Sequence, residues 1–476
     1  MDEKLDSFLQ STAAAPPELA ADLLLRTVEK GLIKDKSRER QILQDAFALS
    51  ASATFPFQLV STGAGKAGIA DTDVGLFADA LAVQIDRFSL ELRVIRRMAH
   101  TDAAGALKLF LEIPAPRPPE LACEDAMGVS LDEYYATIGD LYSRSFSKAE
   151  REKKRDRDFL TTHIAAPQSA WMLIPAAVLL VQLHLSPNLF SSAAETYAQA
   201  LGDLPADDRT FTATLNFSLM DVLYKLTQTQ YGSGGSGYAL ISSFRNYIDQ
   251  HIRKTRCSDT GSAAGNAAVL QQCVRQFNER FLSLSPELAK IPTISMDQLK
   301  PTGLAGAARV YSFWETPESA NLMKAYKHLR FGSGEEQSPE EPLTRPRNMA
   351  PYLGLKRRNS DAWVDEATAF LNTLDAWDNK GEPGRAGFHE RCLMYDALLA
   401  IAPKGDFRGR VVAEYVSFLR SSTVETSSPP EWLLHLSRLL KQKYEEDQSG
   451  LDKDIAKSGD ATMQLYAQLA DMTRSR

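Results

Sequence analysis

The chain of 476 residues lacks an apolar run long enough to cross a bilayer. Its most apolar stretch, residues 170–183, reads AWMLIPAAVLLVQL and contains Pro175, whereas a membrane-spanning helix needs roughly 20 apolar residues. The first ten residues, MDEKLDSFLQ, are acidic and have no apolar signal region. We therefore expect no membrane span, and a protein that is cytoplasmic, or exported if a signal peptide was removed before residue 1.

Cysteine is scarce, with four residues in the whole chain and no CxxC spacing. This excludes a disulfide-dense scaffold and gives no support to a zinc site. Cys257 and Cys273 flank a loop of small residues, SDTGSAAGNAA, that a disulfide could close. Two unpaired buried thiols are the alternative.

Positive charge is not in excess, because 54 lysines and arginines face 61 aspartates and glutamates. A nucleic-acid-binding protein usually carries a basic surface, so we predict no nucleic-acid partner. The charged run at residues 148–158, KAEREKKRDRD, mixes both signs and indicates a solvated helix face.

The common catalytic motifs are also missing. No HExxH occurs, and no two of the seven histidines stand four residues apart as helix-borne metal ligands would. The glycine-rich segments 63–68 and 232–237 each precede a predicted helix, but neither has the preceding strand and the Lys-Ser/Thr ending of a phosphate loop. We therefore predict no cofactor and no metal site, and the sequence assigns no catalytic residue.

One aromatic and acidic cluster could form a ligand platform. Trp363 and Trp377 lie close in sequence to Asp361 and Asp365, and carbohydrate-active enzymes depend on paired carboxylates. The alternative is that the tryptophans belong to the core and the aspartates to the surface.

Apolar residues recur at helical spacing through most of the chain. In residues 77–113 they predict one long helix with Phe88 at mid-stripe and Ile95 near its end. Asp102 and Thr101 would then cap a shorter helix that folds back and buries Ala104, Leu107, Phe110 and Leu111. Pro16-Pro17 and Gly31 predict the limits of an earlier helix.

The fold class that this pattern predicts is all-α, without a substantial β-sheet. We expect a multi-helical array of irregular αα-hairpins, solenoid-like or an α-α superhelix, although no repeat of fixed length is present. The expected divisions are a mobile arm at 1–16, a main array at 17–331, a linker at 332–350, a C-terminal helical segment at 351–446, and a tail at 447–476 with one short amphipathic helix.

Two functions remain open from the sequence. We favour a non-catalytic helical scaffold that binds a protein or peptide partner, because hairpins recur and catalytic motifs are missing. The alternative is an α-helical enzyme with its site between hairpins, for which a carbohydrate is one candidate substrate. The sequence predicts no oligomeric state.

Overall fold

The parts of the chain that the structure describes are mainly helical. The computed structural model describes residues 2–61, 82–117, 127–165, 167, 169–204, 213–252, 263–293, 329, 360–376, 385–421, 433, 435–437, 439–440, 451–456 and 459–474. The first elements in chain order are α1 (Asp2–Thr12), α2 (Pro17–Glu29), α3 (Lys36–Ser50), β1 (Leu59–Ser61), α4 (Arg87–Ala99), α5 (Ala103–Glu112), β2 (Met127–Val129), α6 (Asp132–Arg144), α7 (Lys148–Glu152) and α8 (Arg155–Ile164). They are followed by α9 (Ala170–Gln182), α10 (Pro187–Gly202), α11 (Ala213–Gly232), α12 (Tyr238–Ile252), α13 (Ala263–Arg280), α14 (Asp361–Ala376), α15 (Arg385–Ile401), α16 (Asp406–Ser421), α17 (Leu451–Ala456) and α18 (Ala461–Arg474).

The all-α class is confirmed. Within the described residues, β structure is limited to β1 and β2, three residues each, which pair antiparallel with Leu59 opposite Val129. None of the helices in the described part of the chain is long and apolar enough to span a bilayer.

The chain divides into two compact units. Among the described residues, unit 1 holds α1–α3, residues 82–90, residue 329 and α14–α18, while unit 2 holds β1, residues 91–117 and the elements from β2 to α13. Unit 1 thus combines both ends of the chain, which differs from the predicted separation of a main array from a C-terminal segment. The predicted linker at 332–350 lies outside the described residues and stays a prediction.

In unit 2, alternate helices pack against one another. The most extensive contacts join α10 to α12 and α9 to α11, and α11 also packs on α13. Such alternation is what stacked helical hairpins produce, because each helix then meets its counterpart in the next hairpin. The hairpin array is therefore supported, and its solenoid-like or superhelical path stays a prediction.

The apolar segment at 170–183 forms α9, a buried helix with Pro175 inside it. Leu173 and Leu180 are fully buried. The Tyr197 hydroxyl of α10 donates a hydrogen bond of 3.0 Å to the Leu173 carbonyl oxygen. This bond ties α10 to α9.

The predicted long helix from Phe77 is corrected at its start. Residues 82–86 form turns and bends, and Gln84 has a φ of 60°, a left-handed conformation that interrupts a helix. α4 begins at Arg87, where the Asp86 carboxylate accepts a hydrogen bond of 2.9 Å from the Ser89 amide. Residues 77–81 lie outside the described part of the chain.

α4 is also more enclosed than a one-sided stripe predicts. Phe88, Leu92 and Ile95 are buried as expected, but Leu90 and Val94 on other faces are buried too. A helix covered on most sides is a central element of its surroundings.

The predicted inner face of α5 is correct at Phe110 and wrong at Ala104 and Leu111. Leu111 is 65% exposed and Ala104 is exposed, whereas Ala106 and Phe110 are buried. The reason is that Phe110 stacks on Tyr134 of α6 at 5.5 Å between ring centroids, which turns α5 toward α6. Asp102 caps α5 as predicted, accepting from the Gly105 amide at 3.0 Å.

The chain ends differ from the predicted arm and tail. Residues 2–12 form α1 instead of a mobile arm, and its Leu5, Phe8 and Thr12 are buried. These positions share one helical face, so burial against neighbouring helices stabilises α1. At the other end, α17 precedes the predicted amphipathic helix, which is α18.

Candidate binding groove

Unit 1 contains a groove of about 1200 Å³ between α1, the connection from α2 to α3, the start of α3 and α18. The side chains that line it come from both ends of the chain: Glu3, Lys4, Leu5, Ser7, Phe8, Leu32, Ile33, Lys34, Asp35, Arg38, Gln468, Asp471 and Met472.

The floor of the groove is apolar. Leu5 and Phe8 lie one turn apart on α1, and Leu32 and Ile33 follow the Gly31 cap that ends α2. All four are only 2–8% exposed, so they contribute little surface to the groove.

A glycine cap at the end of α2 places the second half of this floor. Gly31 has a φ of 67°, and its amide donates to the Val28 carbonyl at 2.9 Å. The Leu32 amide donates to the Thr27 carbonyl at 3.1 Å. This is a Schellman motif, which ends a helix with a left-handed glycine followed by an apolar residue. The sequence prediction that Gly31 closes this helix is confirmed, and the cap turns Leu32 inward.

Buried hydrogen bonds hold α18 in place as one wall of the groove. The Tyr466 hydroxyl donates to the Asp22 carboxylate at 2.8 Å, and both residues are almost fully buried. Arg26 Nε donates to the same carboxylate oxygen at 2.7 Å and supplies the compensating charge. At the start of α18, Asp460 accepts from the Met463 amide at 2.9 Å. The position of this wall therefore depends on α2.

Charged side chains form the rim. Arg38 pairs with Asp6 and Asp471 pairs with Arg474. Three further rim residues, Glu3, Lys4 and Lys34, are exposed and make no ion pair within the described part of the chain. The rim thus offers charges of both signs to an incoming molecule.

The predicted ligand platform is not assembled by the described residues. Trp363 is buried, its ring meets Phe407 edge-on at 5.6 Å, and its indole N–H donates to the Leu329 carbonyl at 2.6 Å. Asp361 and Asp365 are exposed on α14. Trp377 lies outside the described residues. Trp363 is consequently a core residue, which matches the alternative given for it above.

The cysteine prediction concerns one described residue. Cys273 is a buried free thiol on α13, and burial raises its pKa to about 12. Such a thiol is unreactive near neutral pH, because the thiolate is the nucleophile. Cys257 lies outside the described residues, and the free thiol of Cys273 agrees with the alternative of unpaired buried thiols.

The glycine-rich segment at 232–237 closes a helix. The Gly235 amide donates to the Gln230 carbonyl at 2.9 Å and the Gly234 amide to the Tyr231 carbonyl at 3.0 Å, with Gly234 at a φ of 81°. These amides satisfy the end of α11 in a second Schellman motif and so do not point toward an anion. The segment at 63–68 lies outside the described residues.

His163, a histidine whose pKa is shifted, belongs to an aromatic cluster in unit 2. Its ring meets Phe159 at 4.7 Å and Phe110 at 5.3 Å, and its Nδ1 lies 2.8 Å from the Tyr134 hydroxyl. Burial lowers the pKa of His163 to about 4, so the ring is neutral at pH 7. No group of three potential metal ligands occurs among the residues described.

Sequence reasoning missed the groove. Its walls come from residues near position 5 and near position 470, and no pattern within one short stretch reports such pairing. The one local signal was the helical spacing of Leu5, Phe8 and Thr12, which marks α1 as a packed helix.

The fold and groove define an all-α protein built from packed helical hairpins, with an open, mixed-charge groove on unit 1. Comparison with protein-family models, with curated proteins and with solved structures finds no match to this chain.

Proposed function

We propose that this chain is a non-catalytic helical scaffold that binds a protein or peptide partner in the groove of unit 1. The observation that carries the proposal is the groove itself, which is lined by both apolar and charged side chains. Protein-binding surfaces combine these features, because apolar contacts supply affinity at the centre while polar groups at the edge give specificity.

The size of the groove supports a macromolecular partner. Its volume of about 1200 Å³ exceeds the roughly 300–1,000 Å³ of most small-molecule pockets. Nothing in the lining favours the carbohydrate-active alternative.

The test is affinity capture from a lysate of the native host, followed by titration with the purified partner. The disrupting variant is Ser7→Trp, which places a bulky ring on α1 at a position that is exposed and lines the groove. The matched control is Ser143→Trp, also exposed and helical but on α6 in unit 2.

We expect the partner to bind the parent and Ser143→Trp equally and Ser7→Trp at least tenfold more weakly. A partner that binds both variants as well as the parent does would overturn the assignment to the groove. Failure to capture and reconstitute any partner would overturn the scaffold proposal.

A further inference from the structure

We infer that α5 is a self-association surface, on which the outward face of this helix packs antiparallel against the same helix of a second copy of the chain. The surface belongs to unit 2 and shares no residue with the groove, so the inference is independent of the proposed function. Three observations support it: exposed leucines, two opposite charges beside them, and the order in which these residues follow one another.

The outward face of α5 is apolar along one side. Ala106 and Phe110 attach the helix to its own chain, while Leu107 is half-buried and Leu111, one turn further on, is 65% exposed. Among the large apolar side chains of the described residues, Leu111 is the most exposed. Single exposed apolar residues are common, but here the helical spacing that indicates a packed helix continues onto the outward face.

Two opposite charges follow the other side of this face. Lys108 and Glu112 are exposed, one turn apart, and neither makes an ion pair within the described part of the chain. Lys before Glu is the weaker order for a pair within one helix. Glu112 also lies in the last turn, which has no basic residue, and the negative end of the helix dipole disfavours an acidic side chain there. A basic group from another molecule would therefore stabilise Glu112.

A second copy supplies the matching residues in the required order. In a two-fold symmetric contact, a residue on one side of the axis meets the residue that lies equally far on the other side. With the axis level with position 110, Lys108 of one copy lies opposite Glu112 of the other, because each is two positions from the axis. The two Leu111 side chains meet beside the axis, and Leu107 meets the half-buried Ile113.

The two sides of the face select antiparallel helices. A two-fold axis perpendicular to the helices places each side of the face against the same side in the other copy, so leucines meet leucines and charges meet charges. A two-fold axis along the helices would exchange the sides and place Lys108 against the leucines. The antiparallel arrangement also brings Lys108 to the negative end of the dipole of the other helix.

The contact is small, so the dimer should be weak. α5 has 10 residues, which is about three helical turns. A stable interface buries roughly 800 Å² per partner, which is more than one face of so short a helix covers. We therefore expect a dimer whose fraction rises with protein concentration.

The experiment is sedimentation velocity of the full-length chain over a wide concentration series, with circular dichroism to check the helical content of each variant. The variants are Leu111→Asp, Lys108→Glu and Glu112→Lys. The matched control is Lys225→Glu, which changes an exposed lysine on α11 of the same unit.

We expect the sedimentation coefficient of the parent to rise with concentration from that of a monomer toward that of a dimer. Leu111→Asp should stay monomeric over the same range, because it places a charge beside the axis. Lys108→Glu and Glu112→Lys should each need at least about tenfold more protein for the same dimer fraction, because like charges then face each other twice. Lys225→Glu should behave as the parent does.

An equal mixture of Lys108→Glu and Glu112→Lys gives the sharpest result. One variant then contributes two acidic groups and the other two basic groups, so both pairs in the mixed dimer are of opposite charge. The mixture should recover the dimer fraction of the parent at the same total concentration. The charge variants alter exposed side chains, so this result decides the pairing even if Leu111→Asp lowers stability.

Three results would overturn the inference. The first is a parent that remains monomeric throughout the series. The second is a dimer that Leu111→Asp leaves unchanged or that Lys225→Glu weakens as much as Lys108→Glu does, since the contact would then lie elsewhere. The third is a mixture of the two charge variants that associates no better than either variant alone.

Discussion

The hydroxyl of Tyr466 offers a sharp test of how the two ends of the chain are joined. Tyr466→Phe removes one oxygen atom and with it the 2.8 Å hydrogen bond to the Asp22 carboxylate, while Arg26 remains at 2.7 Å. A hydrogen bond to a charged group contributes about 1.5–3 kcal/mol. We expect a loss of about 2 kcal/mol in the docking of α18, because the ring itself stays in place.

Amide hydrogen exchange resolved by peptide measures this loss locally. Since 1.4 kcal/mol is tenfold in an equilibrium, about 2 kcal/mol should speed the exchange of α18 amides roughly thirtyfold. The matched control is Tyr231→Phe, which deletes a hydroxyl that donates to the Leu284 carbonyl at 2.9 Å in an exposed setting. The control should leave α18 unchanged. Exchange in α18 of Tyr466→Phe within twofold of the parent would refute the view that this bond holds the groove wall.

Three further predictions concern stability. Phe88→Ala removes a buried ring that packs edge-on against Phe57 at 5.2 Å, and it should lower the free energy of unfolding in urea by about 3–5 kcal/mol. Arg97→Ala is the control. Equal unfolding midpoints for the two variants would contradict this account of the packing. His163 has its folded-state pKa lowered to about 4 by burial, so its stabilising contribution is present above the unfolded pKa of about 6.5 and is lost as the pH falls toward 4. The free energy of unfolding of the parent should therefore be about 2 kcal/mol lower at pH 4.5 than at pH 7.5, and His163→Phe should lack this decrease. Identical pH dependence of stability in the parent and the variant would refute the prediction. Trp363→Phe removes the hydrogen bond to the Leu329 carbonyl, so it should destabilise the folded protein by about 1 kcal/mol and leave partner binding intact. Loss of binding with unchanged stability would instead identify Trp363 as a ligand contact.

Local patterns in the sequence predicted helices and several of their ends. Gly31 and Asp102 act at the termini where the sequence placed them, because caps depend on side chains within a few residues. The start of α4 was misplaced because Ile85 falls on the helical spacing, while the left-handed Gln84 beside it has no clear sequence signal.

Contacts between distant segments were beyond the same reasoning. The inner face of α5 depends on where Tyr134 lies, and a single helix pattern does not report its neighbour. Asp22 and Tyr466 are 444 positions apart, yet their hydrogen bond helps to position a groove wall. The groove is a product of tertiary packing, which is why residue spacing predicted a binding scaffold without locating its surface.

The most direct test of the groove is hydrogen exchange of the full chain with and without a saturating, groove-dependent partner. Binding in the groove should slow exchange in α1, in residues 31–38 and in α18, and leave α9–α13 unchanged. Protection confined to α9–α13, or no protection in either region, would contradict the assignment of the binding site to unit 1.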